Sequence, residues 1–246
     1  MLRLTFLGTS AAQPTVARNL SGLALRREPE LVLFDCGEGT QRQMIRYGTG
    51  FDVAAIFFTH FHADHYLGAI GFLRTLSMQG RQAPLDLYGP RPARRILDAM
   101  LFTGTEPFTF HARLHEVAPG EAVTVGDRVI RPEEVVDAPR RGRRVVVTGD
   151  TRPCAGTVEA ARGADLLVHD STFGDAEEAR ARETMHSTAR EAGRVAREAG
   201  AERLVLTHLS TRYDREPEVL VAQAAEEHPA VSVAHDGLVL EVERPA

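Results

Sequence analysis

The sequence predicts an α/β protein built in layers, and three observations carry that reading. Short apolar runs alternate with helical patterns along the chain, as expected of strands and helices stacked on a common core. Several runs deliver His or Asp at their C-terminal ends, where ligand sites collect in open α/β sheets. At 246 residues, 43% of them hydrophobic, the chain can bury one sizeable core, so a single domain over 1–246 is expected.

Taken in order, LRLTFLG, SGLALRR and LVLFDCG read as three early strands separated by turn chemistry. Residues 38–47 and 66–78 read as helices, the second with Leu67, Ile70, Leu73 and Arg74 on a three-four spacing. AAIFFTH, LDLYG, RVVVTGD, DLLVHDS, RLVLTH and VSVAHDG are apolar runs that each end in a polar turn. Residues 189–201, AREAGRVAREAGA, form an amphipathic helix with Ala-rich packing. The stretch PGEAVTVGDRVIRPEEVVDAPRRGRR differs, being rich in turns and charge, without a helix-length pattern and without His.

Charge and cysteine content narrow the function classes. The formal net charge is −5, so the surface as a whole does not attract nucleic acid, and any RNA contact must use a local patch. All 29 basic residues are Arg, which suits such a patch to bidentate phosphate contacts. Two Cys, Cys36 and Cys154, suggest no disulfide framework and a reducing compartment. The N-terminus reads as a strand and turn rather than a signal peptide, and no run approaches the ~18 apolar residues of a membrane span. A soluble, cytoplasmic protein is expected.

The densest chemistry lies in FFTHFHADHYLG. His60, His62, Asp64 and His65 put four ligand-type residues into six positions directly after an apolar run. At a strand-to-helix turn, that spacing can aim side chains at two neighbouring points, and imidazole with carboxylate suits Zn²⁺. A polar turn with chance histidines is the plainer reading, and the density argues against it. Two further strand ends supply partners, Asp150 after VVVTG and His208 after LVLT. Alone, Asp150 reads equally as a turn or cap residue and His208 as a satisfied core histidine. Beside the first motif, both alternatives weaken.

This order of HxHxDH, Asp and His is similar to the metallo-β-lactamase superfamily. FLGTS (6–10), PTVARN (14–19), LFDCGEGTQRQM (33–44), MHST (185–188) and LVLTHLSTRY (204–213) resemble, in order, its ribonuclease Z family of tRNA 3′-processing endonucleases. The resemblance implies a four-layer αββα sandwich. It implies that His60, His62 and Asp150 hold one zinc, and that Asp64, His65, His208 and the same Asp150 hold the other, with Mn²⁺ as an alternative metal. The implied reaction removes the 3′ trailer of precursor tRNA by attack of a metal-activated hydroxide on a phosphodiester, leaving a 3′-hydroxyl. Asp64, His186 and Asp170 are the implied catalytic residues, His186 as proton donor or phosphate contact and Asp170 as its orienting carboxylate. The family more often has Glu at 170, so Asp170 has less reach, and Ser187 or Thr188 could instead make this stretch a helix cap.

The resemblance further implies that Arg18, Asn19, Arg212 and Tyr213 meet the substrate, although Val16 replaces the Lys of the family's PxKxRN loop. Asp35 and His169 are expected to brace metal-bound groups. Arg140, Arg141, Arg143 and Arg144 form the densest basic run, which reads equally as a solvated turn. Precursor tRNA and a second copy of the chain are the implied partners, with neither DNA nor membrane expected. A bridging Asp rather than Cys, and the lack of a signal peptide, argue against a secreted β-lactamase.

One departure stands out. The family places a third histidine of the first zinc between the HxHxDH helix and VVVTGD, and here only His111 and His115 fall in that interval, neither at the ligand position. Several tens of residues, including the arm that grips tRNA, are missing between about Val117 and Arg131, through a true deletion or because the sequence omits them. The first metal is therefore expected to bind more weakly than the second. A phosphodiesterase for small or unstructured substrates, or a catalytically weakened relative, are the alternatives. Metal content and cleavage of precursor tRNA against a small phosphodiester separate them.

Overall fold

The computed structural model describes residues 2–104, 106–118, 121–125, 128–130 and 142–243. Strands β1 (Leu2–Gly8), β2 (Gly22–Arg27) and β3 (Glu30–Phe34) form an antiparallel meander. Helix α1 (Thr40–Arg46) then returns the chain to β4 (Val53–Phe57), which lies parallel to β3. Helices α2 (Ala63–Tyr66) and α3 (Gly68–Met78) lead to β5 (Leu85–Gly89), and α4 (Ala93–Leu101) leads to β6 (Ala112–Glu116), both strands parallel to their neighbours. A small hairpin of β7 (Val123–Val125) and β8 (Arg128–Ile130) follows.

The second half repeats parallel strands and crossover helices. Strand β9 (Val145–Val147), helix α5 (Ala155–Ala160), strand β10 (Leu166–Asp170) and helices α6 (Glu178–Thr184) and α7 (Ala189–Ala199) come first. Strand β11 (Leu204–Thr207), helix α8 (Glu218–Ala225) and strand β12 (Val231–Val233) complete a parallel four-stranded sheet ordered β12-β11-β10-β9. The final strand β13 (Val239–Val242) crosses back to pair with β1, giving a seven-stranded sheet ordered β13-β1-β2-β3-β4-β5-β6.

Strand alternation decides which residues each layer receives. Leu2, Leu4 and Phe6 of β1, with Leu23 and Leu25 of β2, meet Leu166, Val168 and Val205 between the sheets. The opposite faces carry the helices. Leu31, Leu33, Val53 and Ile56 pack on Met44, Phe72, Leu73 and Leu97, while Leu167, Leu204 and Leu206 pack on Ala192, Val195, Ala196 and Leu220. Three apolar layers between four structural ones make the αββα sandwich that the sequence predicts. Burying each such Leu or Phe contributes about 1.5–3 kcal/mol before entropy is counted.

The predicted elements recur with shifted ends. The helix expected over 189–201 runs Ala189–Ala199, started by the Thr188 hydroxyl on the Glu191 amide and ended by left-handed Gly200. The helix expected over 66–78 is broken at Leu67, so its buried stripe is Ala69, Phe72, Leu73 and Leu76, and Leu67 itself is exposed. The break lets Gly68 press on Gly37, where a Cβ would lie 1.9 Å from the Gly37 carbonyl oxygen. The segment with the expected deletion near 117–131, and Arg140 and Arg141, fall largely or wholly outside the described residues. Among the described residues, no helix is long and apolar enough to cross a membrane.

Candidate metal centre

The turns after β4 of one sheet and after β9 and β11 of the other come together, and they carry the candidate ligands. After β4 the chain is held by Asp35, a buried carboxylate just past β3. Asp35 accepts from the Thr59 amide and hydroxyl, each at 2.8 Å, and its Oδ2 lies 2.8 Å from His65 Nδ1. Gly149, at φ 64°, passes so close to Thr59 that a Cβ would fall 2.7 Å from that residue's Cβ. Asp150 is thereby carried up to His60.

Asp150 faces two groups with its two oxygens. Oδ2 lies 3.4 Å from His60 Nε2 and 3.7 Å from His62 Nδ1. Oδ1 lies 3.1 Å from His65 Nε2 and 3.2 Å from His208 Nε2. The second group is completed by Asp64, whose Oδ2 is 3.4 Å from His208 Nε2 and 3.6 Å from His65 Nε2. His208 reaches this point because its backbone is left-handed, φ 58°, which breaks the alternation of β11. Such a conformation costs a non-glycine residue about 1–2 kcal/mol.

Hydrogen bonds at Nδ1 turn the Nε2 atoms toward the centre. The Thr172 hydroxyl donates to Asp170 Oδ1 at 2.7 Å, so it accepts from His208 Nδ1 at 3.0 Å. Likewise the Thr59 hydroxyl donates to Asp35 and accepts from His60 Nδ1 at 3.1 Å. His65 and His208 then point their Nε2 atoms at each other across 3.3 Å. His60 Nε2 and Asp150 Oδ1 are buried without a hydrogen-bond partner, although imidazoles lie close to Oδ1. Imidazole nitrogens and two carboxylates converging in this way call for positive charge between them, and this donor set fits a divalent cation. Three triads have ligand atoms within 4.8 Å of one another: His60–His65–Asp150, Asp64–His65–His208 and Asp150–His186–His208.

The electrostatics agree. Burial pulls His65 down, but the carboxylates of Asp35 and Asp150 outweigh it and lift it to about 11. His208 is lifted to about 9 against the same burial, chiefly by Asp150 and Asp170. Burial pushes Asp64 and Asp150 up, yet the facing imidazoles hold both well below the usual carboxylate range. Protons or a metal ion can meet that demand for positive charge, so metal uptake would release protons.

Beside this cluster, His186 Nδ1 lies 2.8 Å from Asp170 Oδ2 and its ring stacks on His208 at 5.3 Å. The shorter Asp170 side chain reaches His186 despite the missing methylene. Asp170 also accepts from the Thr151 amide at 3.0 Å and the Thr172 amide at 2.9 Å. Against its burial, His186 and His208 hold it down at about 2. Thr188 caps α7, and the Ser187 hydroxyl is spent on the Thr151 carbonyl. His186 is therefore not part of the cap.

Several expected residues lie elsewhere. Arg18 is 6% exposed, with its donors on the Thr9 hydroxyl, the Ala234 carbonyl and Asp214, so its expected substrate contact is corrected to an internal tie. Asn19 is similarly used, its side-chain amide donating to the Glu38 carbonyl at 2.8 Å. The Tyr213 hydroxyl bonds Glu177 and accepts from the Gly174 amide, while Arg212 is exposed near Glu177. His169 shares the helix-facing side of β10 with Leu167, so it does not brace the centre; Asp35 does. His115 pairs with Asp86 at 2.7 Å on β6 and joins no ligand cluster, nor does His111. Arg143 and Arg144 donate to carbonyls of Val242, Arg162 and Ala160, as parts of the fold rather than a free patch. The sequence reading missed Ala12, whose amide donates to Asp64 Oδ2 at 2.8 Å, and Thr172, although HDST was there to flag it.

Comparison with known proteins follows the same line. The Beta-lactamase superfamily domain matches residues 30–209. Human tRNase Z, short form, superposes with a TM-score of 0.79 at 31% identity, covering 98% of this chain and 99% of that one. The metallo-beta-lactamase fold protein YhfI from Bacillus subtilis superposes at 0.80 with 23% identity over 97% of this chain and 98% of that one, a likeness of fold. Ribonuclease Z of Gemmatimonas aurantiaca is 41% identical over 98% of this chain and 96% of its own length. Ribonuclease Z of Myxococcus xanthus is 52% identical over 98% of both. That alignment spans 301 positions against the 246 residues here, so the relative carries residues without a counterpart in this chain. Sequence identity sustained over nearly the full length of these relatives, on the superfamily's fold, means that the chain belongs to the ribonuclease Z family.

Proposed function

We propose that this chain is a metal-dependent endoribonuclease that removes the 3′ trailer of precursor tRNA and leaves a 3′-hydroxyl. The observation that carries the reading is the division of Asp150, one oxygen toward His60 and His62 and the other toward His65 and His208. A carboxylate held in that way could serve two cations, one with each oxygen. His60, His62 and Asp150 would hold one, and Asp64, His65, His208 and Asp150 the other, with Zn²⁺ as the metal that suits these donors best and Mn²⁺ as the alternative. Bound ions would supply an acidified water and offset charge on the phosphoryl oxygens.

The chain's own groups do the rest. Asp35, Thr172 and the Ala12 amide orient His65, His208 and Asp64. Asp170, buried and ionised, fixes His186 through Nδ1 and leaves Nε2 to hand a proton to the departing ribose oxygen. Arg212 is the exposed cation of the STRY segment and suits a backbone phosphate. We read 1–246 as one domain acting in the cytoplasm as a homodimer, which sedimentation would test.

The shorter length of this chain against its relatives favours a second reading, in which the chemistry is kept and the grip on tRNA is weak. Incubating the purified chain with precursor tRNA or bis(p-nitrophenyl) phosphate, with and without Zn²⁺, decides between them. Trailer release with a 3′-hydroxyl end supports the first reading. Turnover of the small diester alone supports the second, and turnover of neither at any metal level defeats both.

A further inference from the structure

The segment between β1 and β2 touches the candidate centre at two points and is pinned at a third that the proposed chemistry does not use. At the centre, the left-handed residue Ala12 (φ 57°) donates its amide to Asp64 Oδ2. Its neighbours pair with Leu209, the residue after His208. The Leu209 amide donates to the Thr9 carbonyl at 3.0 Å, and the Ala11 amide donates to the Leu209 carbonyl at 2.9 Å. Four residues, 9–12, thus help to place both Asp64 and His208.

Their anchor is Asp236, in the turn between β12 and β13. Asp236 Oδ1 accepts from the Thr9 hydroxyl at 2.8 Å, and Oδ2 accepts from the Asn19 amide at 2.7 Å and Gln43 Nε2 at 2.6 Å. The Thr9 hydroxyl in turn accepts from Arg18 Nη1 at 2.8 Å. One carboxylate therefore ties both ends of the 9–19 loop to α1 and to the β12–β13 turn, and none of its hydrogen bonds goes to a candidate ligand.

We infer that Asp236 is a positioning residue for the ion subsite of Asp64, His65 and His208, acting through residues 9–12. The inference rests on the two-ion reading above. Removing the carboxylate strands three donors in a largely enclosed place, and the loop must shift to satisfy them. That shift moves the Ala12 amide and the Leu209 backbone, and with them Asp64 and His208.

The test uses Asp236→Asn, which keeps the shape but turns one acceptor into a donor facing other donors. Thr9→Val removes one of the three bonds to Asp236, together with the bond from Arg18, and serves if Asp236→Asn does not fold. In the full chain, zinc binding is measured by calorimetry and the Co²⁺-substituted protein by visible absorption, well below the melting temperature. Asp236→Asn should weaken the tighter ion about tenfold, the lower end of the ~10–100-fold that outer-shell losses cost, and shift the Co²⁺ bands. Thr9→Val should do the same to a smaller degree. A lowered melting temperature with unchanged zinc constants and an unchanged Co²⁺ spectrum would overturn the inference, because a purely structural role predicts that result. His208→Ala separates the two readings. If it loses the tighter ion while the Asp236 and Thr9 variants keep it, only the positioning role fails; if it changes no zinc constant, the ion site itself is wrong.

Discussion

The two halves of the candidate centre share Asp150 and differ in almost everything else. On one side, His65 is 2% exposed and braced by Asp35, His208 is buried and braced by Thr172, and Asp64 is held by a backbone amide. On the other side, His60 is braced only by the Thr59 hydroxyl, and the His62 side chain is 70% exposed, 3.7 Å from Asp150. Among the described residues His62 joins none of the groups of ligand atoms within 4.8 Å of one another, and the imidazole grouped with His60 and Asp150 is His65, which also faces the other side. Ligands already oriented lose less freedom when an ion arrives, so the braced side should hold its ion more tightly. Similar residue types would thus make a tight subsite and a loose one, the difference lying in what stands behind each candidate ligand.

Removing the shared ligand should erase the distinction. Asp150→Ala is expected to keep the fold, lose most of both ions and lower trailer cleavage by more than the ~10²–10⁴-fold that losing a general acid costs. Metal analysis checks this; a variant that binds two ions as tightly as the parent would show that Asp150 is no bridge. His186→Gln acts outside both halves. Its kcat should fall by ~10²–10⁴ while metal content stays at the parental level, and loss of metal in that variant would move His186 into the ligand set.

The bracing itself can be tested side against side. Asp35→Asn should weaken the tighter ion by ~10–100-fold, whereas His62→Ala should affect only the looser one. Calorimetric titration that found the reverse order would invert the comparison. The smallest effect is that of stripping the metal. Under limiting Zn²⁺ the chain should hold nearer one equivalent than two. A graded chelator should remove the loose ion first, with the fold retained because its three apolar layers include no candidate ligand. An ion at a hundred times its Kd adds about 2.7 kcal/mol, so its removal should lower the melting temperature by roughly 5–10 °C. Unfolding on chelation would contradict this.

Much of the centre was readable because its first part is local. His60, His62, Asp64 and His65 lie within one turn, and their spacing alone concentrates donors whatever the rest of the chain does. The layered fold was also readable, since alternation in the strands and the Ala-rich face of α7 record which side is buried. The surface assignments fared differently. Arg18 and Asn19 have the residue types that meet phosphate and base, and the fold spends both on internal hydrogen bonds. A side-chain type shows what it can bond, and only the packed neighbours decide whether solvent or a carbonyl takes that bond.

By itself, then, the sequence determined the candidate donor set, the strand-and-helix order and the family, because these depend on residue type, short spacing and pattern. The tertiary structure alone decided which side of Asp150 each imidazole faces and which ligands are braced. His208 lies 143 residues from His65, yet their Nε2 atoms come within 3.3 Å. The left-handed turn at His208 and the close pass of Gly149 against Thr59 make the centre possible. Both are set by contacts between sheets packed face to face, and such contacts leave no periodic trace in the chain.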